Sequence, residues 1–449
     1  MEKLKNLYIK SYGCQMNIYD SQKMAEMLQP FGYKNIDHIK GADMIILNTC
    51  HIREKASEKI YSELGRIRDY KKENILGKNT VIVVAGCVGQ AEGEEIFNRE
   101  PIVDIVVGPQ SYHNLPLLLT EYSKGAKKLI DLDFSPEPKF DAISNNISND
   151  NFSSFLSIQE GCNEFCRFCV VPYTRGAEFS RSVSDIYKEA LKLASGGAIE
   201  ITLLGQNVNA YNGYDIDGSK SSLGKLIKYI SNIPQISRIR YTTSHPRSMF
   251  DDLIDAHKTQ EKLMPFLHLP VQSGSNKVLK SMNRKHNISE YLSTIDKLKQ
   301  SRPDMGFSSD FIVGYPGESD DDFRDTIKLI KEVQYAQCYS FKYSQRPGTP
   351  AAIMNDQIEE HIKSERLIEL QSVINHYQKK FNNQFIGKTV PVLFERKGKK
   401  ENQLIGKTPH MQSIYIDNAG DYIGQIIDIE IREAYSNSLY GIVQNQNAA

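Results

Sequence analysis

Three short apolar runs open the chain, and each ends in a turn carrying a cysteine. They are "LYIKSYGC" to Cys14, "ADMIILNTC" to Cys50 and "NTVIVVAGC" to Cys87. Their length and β-branched content predict buried strands. Helix-like stretches lie between them, at 20–29 and 53–70, with Asp20 and Ser21 as expected N-caps. A fourth run, "IVDIVV", closes the segment. This βαβαβ pattern predicts a parallel sheet with right-handed crossovers. Ligands of such a sheet sit beyond the carboxyl ends of its strands. The three cysteines are therefore expected together on one edge.

The pattern then breaks. Residues 134–151, "FSPEPKFDAISNNISNDN", are rich in Ser, Asn and Pro and read as a linker. From 152 to about 345, strand-like runs alternate with helix-like stretches. The strands are expected at 153–159, 199–204, 236–243, 264–271, 307–314 and 336–343. Six β/α units predict a partial barrel, since a full one takes eight, with its site at the C-terminal ends of the strands. Residues 357–385 read as a long charged helix packing back on it. The tail carries "KTVPVLFER", "MQSIYIDN", "IGQIIDIEIREAY" and "LYGIV", β-like runs that predict a small OB-like β-barrel. The fold class is α/β, in three parts. A parallel α/β domain spans 4–122, a linker 123–150, a partial (β/α)6 barrel 151–383 and a small β-barrel 384–446.

Composition narrows this picture only a little. The 449 residues are 40% apolar and 24% charged, ordinary for a globular protein. Lys+Arg and Asp+Glu are both 55, so net charge selects no class of partner. The one basic patch is "RKGKK", with Arg396, Lys397, Lys399 and Lys400 as candidate RNA contacts; a solvated loop is the competing reading. No apolar run is long enough to span a bilayer, and the N-terminus lacks the features of a secretory signal. The expected location is cytoplasmic, without membrane contact. In that reducing compartment, clustered cysteines point to metal binding or catalysis rather than disulfides.

Candidate chemistry centres on "GCNEFCRFCVVPYTRG", where Cys162, Cys166 and Cys169 follow the first barrel strand with C-x3-C-x2-C spacing. Structural zinc takes four ligands, commonly as two separated pairs, and no second pair or nearby His stands here. An electron-transfer cluster takes four thiolates, one of which would have to come from a distance. Three core cysteines meeting by chance is a further reading. The remaining one is a [4Fe–4S] cluster with one iron open to a ligand.

That spacing, after the first strand of a partial β/α barrel, resembles the radical S-adenosylmethionine (SAM) superfamily, whose usual aromatic before the third cysteine is here Phe168. More narrowly, the chain is similar to the methylthiotransferases. "SYGCQMNIYDS", "NTCHIREKA" and "AGCVGQ" look like their N-terminal motifs. "GCNEFCRFCVVPYTRGAEFSR", "LLGQNVNAY", "LHLPVQSGS", "DFIVGYPGE" and "YSQRPGTPAA" look like their core motifs. The tail resembles a TRAM domain, the family's RNA-binding barrel. "GCQMN", "REKA" and "RGAEFSR" resemble the branch acting on N6-isopentenyladenosine in tRNA. Other branches act on threonylcarbamoyladenosine or on a ribosomal-protein aspartate.

The resemblance implies two [4Fe–4S] clusters and two SAM per turnover. The cluster on Cys162, Cys166 and Cys169 binds SAM through its open iron and generates a 5′-deoxyadenosyl radical. The cluster on Cys14, Cys50 and Cys87 holds the sulfur to be inserted. The implied product is the 2-methylthio form of N6-isopentenyladenosine in the tRNA anticodon stem-loop. An electron donor such as flavodoxin or ferredoxin is implied, with the sulfur source unspecified and the chain expected to be a monomer. A non-catalytic iron–sulfur carrier is the alternative from another class, but each of its clusters would lack a ligand.

Further candidates sit at expected strand ends. Gln206, Asn207, Ser273, Gly274 and Gly314 are either SAM contacts or satisfied turns. Arg175, Glu178 and Arg181 either pair with one another or hold SAM or nucleotide. His51, His245 and His268 read as structural, and Cys338 as a core thiol.

Overall fold

The computed structural model describes residues 4–50, 54–77, 79–134, 139–140, 152–417 and 420–444. His51 lies outside them, as do residues 135–138 and 141–150 of the expected linker.

The N-terminal domain is a six-stranded parallel sheet. Its strands are β1 (Lys5–Tyr12), β2 (Tyr33–Asn35), β3 (Met44–Thr49), β4 (Val81–Ala85), β5 (Ile105–Val107) and β6 (Leu129–Asp131), in the order β2-β1-β3-β4-β5-β6. β3 and β4 are apolar at nearly every position because both faces are covered. Met44, Ile46 and Val83 enter one core, while Ile45, Leu47, Ile82 and Val84 enter the other. β6 falls inside the stretch expected to be linker. It is short and only half-buried, so its apolar signal is weak.

Helix onset also differs from the sequence expectation. The first helix runs Gln15–Leu28 rather than from residue 20. Cys14 occupies its N-cap position with no side-chain cap, and Asp20 lies mid-helix, 1% exposed. Acidic and hydroxyl residues favour N-caps, but here the tertiary partners of Asp20 override that preference.

In the central domain, β7 (Ser153–Ser157), β10 (Glu200–Leu204) and β11 (Arg238–Tyr241) form one parallel group. β12 (Phe266–His268), β13 (Gly306–Val313) and β14 (Gln337–Lys342) form another. A parallel bridge between Ile239 and Leu263 joins them into one arc. All six expected strands are present, in chain order, as a partial barrel. Between β7 and β10, the two-residue strands β8 (Gln159–Glu160) and β9 (Phe179–Ser180) pair antiparallel and bracket the C-x3-C-x2-C loop. Helix starts are well marked: Asn287 with Glu290, and Ser319 with Asp322, form capping boxes.

Helix Glu360–Asn383 packs on β14 and then reaches the tail. There β15 (Thr389–Lys397), β16 (Leu404–Lys407), β17 (Ser413–Ile416), β18 (Ile426–Ala434) and β19 (Ser438–Val443) close into a barrel of order β15-β16-β17-β19-β18. β16 has only four residues and escaped the sequence pattern. Two buried arginines of β11 anchor this barrel. Arg240 donates to Pro409 O (2.7 Å), Thr408 O (2.9 Å) and Glu200 Oε2 (2.9 Å). Arg238 donates to Lys407 O (2.9 Å) and Pro391 O (2.8 Å).

Replacing Arg240 with Ala strips the buried Glu200 carboxylate of its closest partner, which costs about 3–5 kcal/mol. Chemical denaturation of R240A should show this loss. Limited proteolysis should cut it between the central domain and the tail barrel faster than the parent chain. Equal cleavage rates would mean that the arginine does not hold the barrel in place.

Candidate functional site

Cys14, Cys50 and Cys87 follow β1, β3 and β4, three adjacent strands with one direction. Parallel pairing therefore places the three turns side by side. Gly13 (φ +131°) makes the approach possible, because a Cβ there would overlap the Cβ of Cys50. Gly86 (φ +87°) plays the same part before Cys87, where a Cβ would lie 2.9 Å from Thr49 O. Asn17 ties the turns together. It accepts from Cys14 Sγ (3.1 Å) and donates to Asn48 Oδ1 (2.9 Å). Hydrogen bonding from the Cys50 thiol holds Cys14 below the usual thiol range, at about 6, whereas burial pushes Cys87 up.

Arg175 reaches this edge from the other domain. It ends the helix Val171–Arg175, is 3% exposed, and donates to Asp20 Oδ2 at 2.7 Å. Glu160 lies 3.5 Å from Nη1, which has no hydrogen-bond partner among the described residues. The guanidinium is also close enough to the Cys87 and Cys14 thiols to favour their ionised forms. Lys139, fully buried, completes the cluster with ion pairs to Asp20 (3.2 Å) and Glu160. Lys139 belongs to the stretch read as linker, so at this point that stretch is buried structure. Arg175 thus lies at the domain junction beside the Cys14 and Cys87 thiols. A second buried set lies beside it: Lys23 bridges Glu26 and Glu189 at 3.0 Å each, and Arg181 pairs with Glu189 at 2.7 Å. Arg181 also donates to Ser157 O (2.6 Å).

Cys162, Cys166 and Cys169 lie on the loop after β8. Cys162 N donates to Gly176 O (3.2 Å), and Cys169 N to Cys166 O (2.9 Å). Burial raises the Cys162 and Cys169 thiols to about 11 and about 12. Arg284 Nη1 lies 3.6 Å from Cys166 Sγ. Gln206 accepts from Gly161 N (2.6 Å), and Gln159 Oε1 accepts from the backbone of Gln206 and Asn207 at 2.9 and 3.1 Å. Gln206 therefore holds the loop in place. Phe168 packs against an apolar cluster with Val278, Tyr315 and Tyr343.

Other expected contacts have partners inside the protein. Ser273 Oγ accepts from Ser275 N (3.2 Å), and Gly274 N donates to Thr326 Oγ1 (2.9 Å). Gly314 (φ +68°) donates to Glu318 Oε2 (2.7 Å) in a turn. Glu178, half-buried, is pushed up to about 7 by burial and by Glu164. His268 sits 2.9 Å from Ser308 Oγ. Burial raises the Cys338 thiol, in β14. Arg396 and Lys397 end β15, while Lys399 and Lys400 lie in the following turn.

Beyond Asn207, which the sequence singled out, and His245, which it read as structural, sequence reasoning missed a set of buried polar atoms with no partner among the described residues. With those two included, the set is Ser157 Oγ, both side-chain atoms of Asn207, Ser244 Oγ, His245 Nε2, both ring nitrogens of His286, and Arg284 Nε. Ser157, Asn207, Ser244 and His245 stand at or just beyond the ends of β7, β10 and β11, the face a β/α barrel uses for ligands. Buried polar groups are normally paired. Unpaired donors and acceptors at strand ends fit a polar, zwitterionic ligand beside the thiol loop. The unpaired Nη1 of Arg175 likewise fits an anionic cluster on the N-terminal triad. Among the described residues no three Cys, His, Asp or Glu side chains close on a single metal ion. No described helix is long and apolar enough to cross a membrane.

Residues 6–108 match the model described as Uncharacterized protein family UPF0004, residues 156–330 the Radical SAM superfamily, and residues 383–443 the TRAM domain. An arc of parallel strands whose first member feeds the thiol loop agrees with the middle match, and the chain is a radical SAM enzyme. Among curated relatives, tRNA-2-methylthio-N(6)-dimethylallyladenosine synthase of Rickettsia canadensis (strain McKiel) is 60% identical over 97% of this chain and 99% of its own. Its counterpart in Rickettsia felis is 59% identical over 98% and 99%. The chain belongs to the tRNA-2-methylthio-N(6)-dimethylallyladenosine synthase family. Among solved structures, the radical SAM methyltransferase TsrM from Kitasatospora setae superposes with a TM-score of 0.58 at 12% identity, covering 78% of this chain and 75% of that one. The cobalamin-dependent SAM radical enzyme OxsB gives 0.52 at 13%, covering 83% and 56%. At these identities the likeness is one of fold.

Arg175→Gln leaves Asp20 and Glu160 buried with one cation fewer. It should lower the unfolding free energy by about 3–5 kcal/mol, while Arg175→Lys should recover part of that loss. Denaturant titration of the three proteins tests this, and an unchanged R175Q midpoint would remove Arg175 from the junction.

Proposed function

We propose that the protein methylthiolates C2 of N6-isopentenyladenosine beside the anticodon of tRNA. The observation that carries this reading is the presence of two three-thiol sites in one chain, one at the strand ends of each α/β domain. Full-length identity to synthases named for this product supports it. Each triad stops one ligand short of a four-thiolate cluster, and a cluster of several irons is larger than the single ion that the described side chains fail to enclose.

In this reading Cys162, Cys166 and Cys169 hold one [4Fe–4S] cluster and Cys14, Cys50 and Cys87 a second. SAM bound at the first cluster supplies the one-electron chemistry that an unactivated adenine C2–H bond requires. Gln206 and Gln159 fix the thiol loop, and Arg284 offers positive charge beside Cys166. Asn207, Nε2 of His245, and His286 offer hydrogen bonds to SAM or to the adenine. Burial and neighbouring cations hold His245 and His286 below the ordinary imidazole range, so both are neutral at neutral pH; because Nδ1 of His245 accepts from Arg247 N (3.2 Å), its free Nε2 is a donor. Arg175 keeps the two triads in one rigid frame. The electron comes from a donor such as flavodoxin or ferredoxin, and the chain carries both triads without a second copy.

Anaerobic reconstitution should yield about eight iron atoms per chain, two clusters of four; about four, or zinc, would contradict the two-cluster reading. Single Cys→Ala changes at 162, 166 or 169 should abolish SAM cleavage. The same change at 14, 50 or 87 should spare cleavage and stop thiolation. Mass spectrometry of tRNA nucleosides from a deletion strain should show 2-methylthio-N6-isopentenyladenosine lost and N6-isopentenyladenosine accumulated. Loss of a modified threonylcarbamoyladenosine instead would move the enzyme to a sister branch.

A further inference from the structure

Arg175 and Asp20 join two domains, and both also border the N-terminal triad. Asp20 lies in the helix Gln15–Leu28, whose N-cap residue is Cys14. Arg175 ends the helix Val171–Arg175, which packs against the helix Cys87–Glu92, opened by Cys87. The pair is therefore held between two of the three thiol-bearing turns. Nη2 of Arg175 lies 2.7 Å from Oδ2 of Asp20, and the two residues are 3% and 1% exposed. Cys50 and Cys87 are buried as well. Gln110 Nε2 donates to the carbonyl of Arg175 (2.9 Å), and Cys162 N donates to the next carbonyl, that of Gly176 (3.2 Å). One short stretch of chain thus touches both thiol sets.

A purely structural set of ion pairs would use all of its donors. Lys139 meets Asp20 and Glu160, and Arg175 meets the same two carboxylates, so two cations already balance two anions. A guanidinium carries five N–H donors in a fixed fork. Nη1 nevertheless has no hydrogen-bond partner among the described residues, and neither has Glu160 Oε2, 3.5 Å away. A buried donor left unused requires a reason. Besides the Cys50 hydrogen bond at Cys14 and the burial of Cys87, the Arg175 guanidinium favours the ionised forms of both thiols, and the Asp20 carboxylate opposes them. A charge that acts on a thiolate acts also on whatever the thiolates hold. Buried surroundings leave little water to screen it, and the charges and hydrogen bonds around an iron–sulfur cluster set its reduction potential.

We propose that Arg175 is a positioning residue for the cluster on Cys14, Cys50 and Cys87: its free donor serves that cluster and its charge raises the reduction potential there, while Asp20 lowers it. The inference rests on the two-cluster reading above and deepens it. Arg175 belongs to the central domain, so the N-terminal triad acquires this cation only when the two domains are docked. The charge around one cluster is then set by the stretch of chain that carries the other. Arg284, 3.6 Å from Cys166 Sγ, stands in the corresponding place at the loop triad, but it comes from that triad's own domain.

The test is an anaerobic redox titration followed by electron paramagnetic resonance. It uses the full reconstituted chain with Cys162, Cys166 and Cys169 replaced by Ala, so that only the N-terminal triad loads. About four iron atoms per chain report that loading. In this background Arg175→Gln should move the midpoint potential to a more negative value, and Asp20→Asn to a more positive one. Arg175→Lys keeps the charge but not the fork, and should fall between the parent and R175Q. A junction that is merely loosened does not give this pattern, because R175Q and D20N break the same 2.7 Å bond and would shift the cluster in the same sense. Where R175Q fails to load, the order of R175K, parent and D20N decides. Potentials that stay at the parent value, or that move in one direction in the arginine and aspartate variants alike, would overturn the role of Arg175 and leave the two-cluster reading intact. A chain with all six cysteines that loads about four iron atoms rather than eight would instead overturn the two-cluster reading itself.

Discussion

Four buried charges join the two α/β domains: Asp20 on one side, Glu160 and Arg175 on the other, and Lys139 between them. All four are at most 3% exposed. Burying any one alone costs several kcal/mol, so the set persists only because two cations and two anions meet at hydrogen-bonding distance. Removal of one member leaves the others uncompensated. That interdependence fixes the domains against each other more narrowly than apolar packing would, because ion pairs have directional hydrogen bonds and apolar contacts do not.

The thiol sites depend on that junction. One continuous stretch carries Cys162, Cys166, Cys169 and then Arg175, whose guanidinium lies beside Cys87 and Cys14. A shift of the central domain would therefore move a charge at the other triad. The two triads are built differently. One sits on a single loop pinned by Gln206, Gln159 and Arg284. The other is assembled from three strand ends, and it needs glycine at 13 and 86 to let the turns meet. The tail barrel, held by Arg238 and Arg240, is added to the same frame.

Much of this was legible from residue order. Runs of apolar residues ending in cysteine predicted β1, β3 and β4 and placed their cysteines on one edge, because parallel strands share a direction. Six alternating units predicted the arc, and the three-cysteine loop follows its first strand as expected. The short elements were not legible. β6 and β16 have three and four residues, too few for a periodic signal. Asp20 resembled a helix N-cap because local pattern cannot see a partner 155 residues away in Arg175. Lys139 sat in a polar stretch that reads as linker, and only its burial between two carboxylates sets it apart.

By itself, then, the sequence determined local periodicity, the sets of thiols and the order of domains, since each depends on residues close along the chain. Tertiary structure decided which charges meet. Arg175 read equally as a SAM contact or an ion-pair partner, and in the fold it pairs with Asp20 across the domain junction. Ser273, Gly274 and Gly314 read either as SAM contacts or as satisfied turns, and packing against neighbouring elements gives Gly274 N and Gly314 N partners within the protein. The Asn207 side chain and His245 Nε2 beyond the strand ends, and the His286 ring between two helices, have no hydrogen-bond partner among the described residues. The physical reason is the same in each case. A desolvated polar group must find a partner, and which partners are within reach depends on the assembled domains rather than on neighbours in the chain.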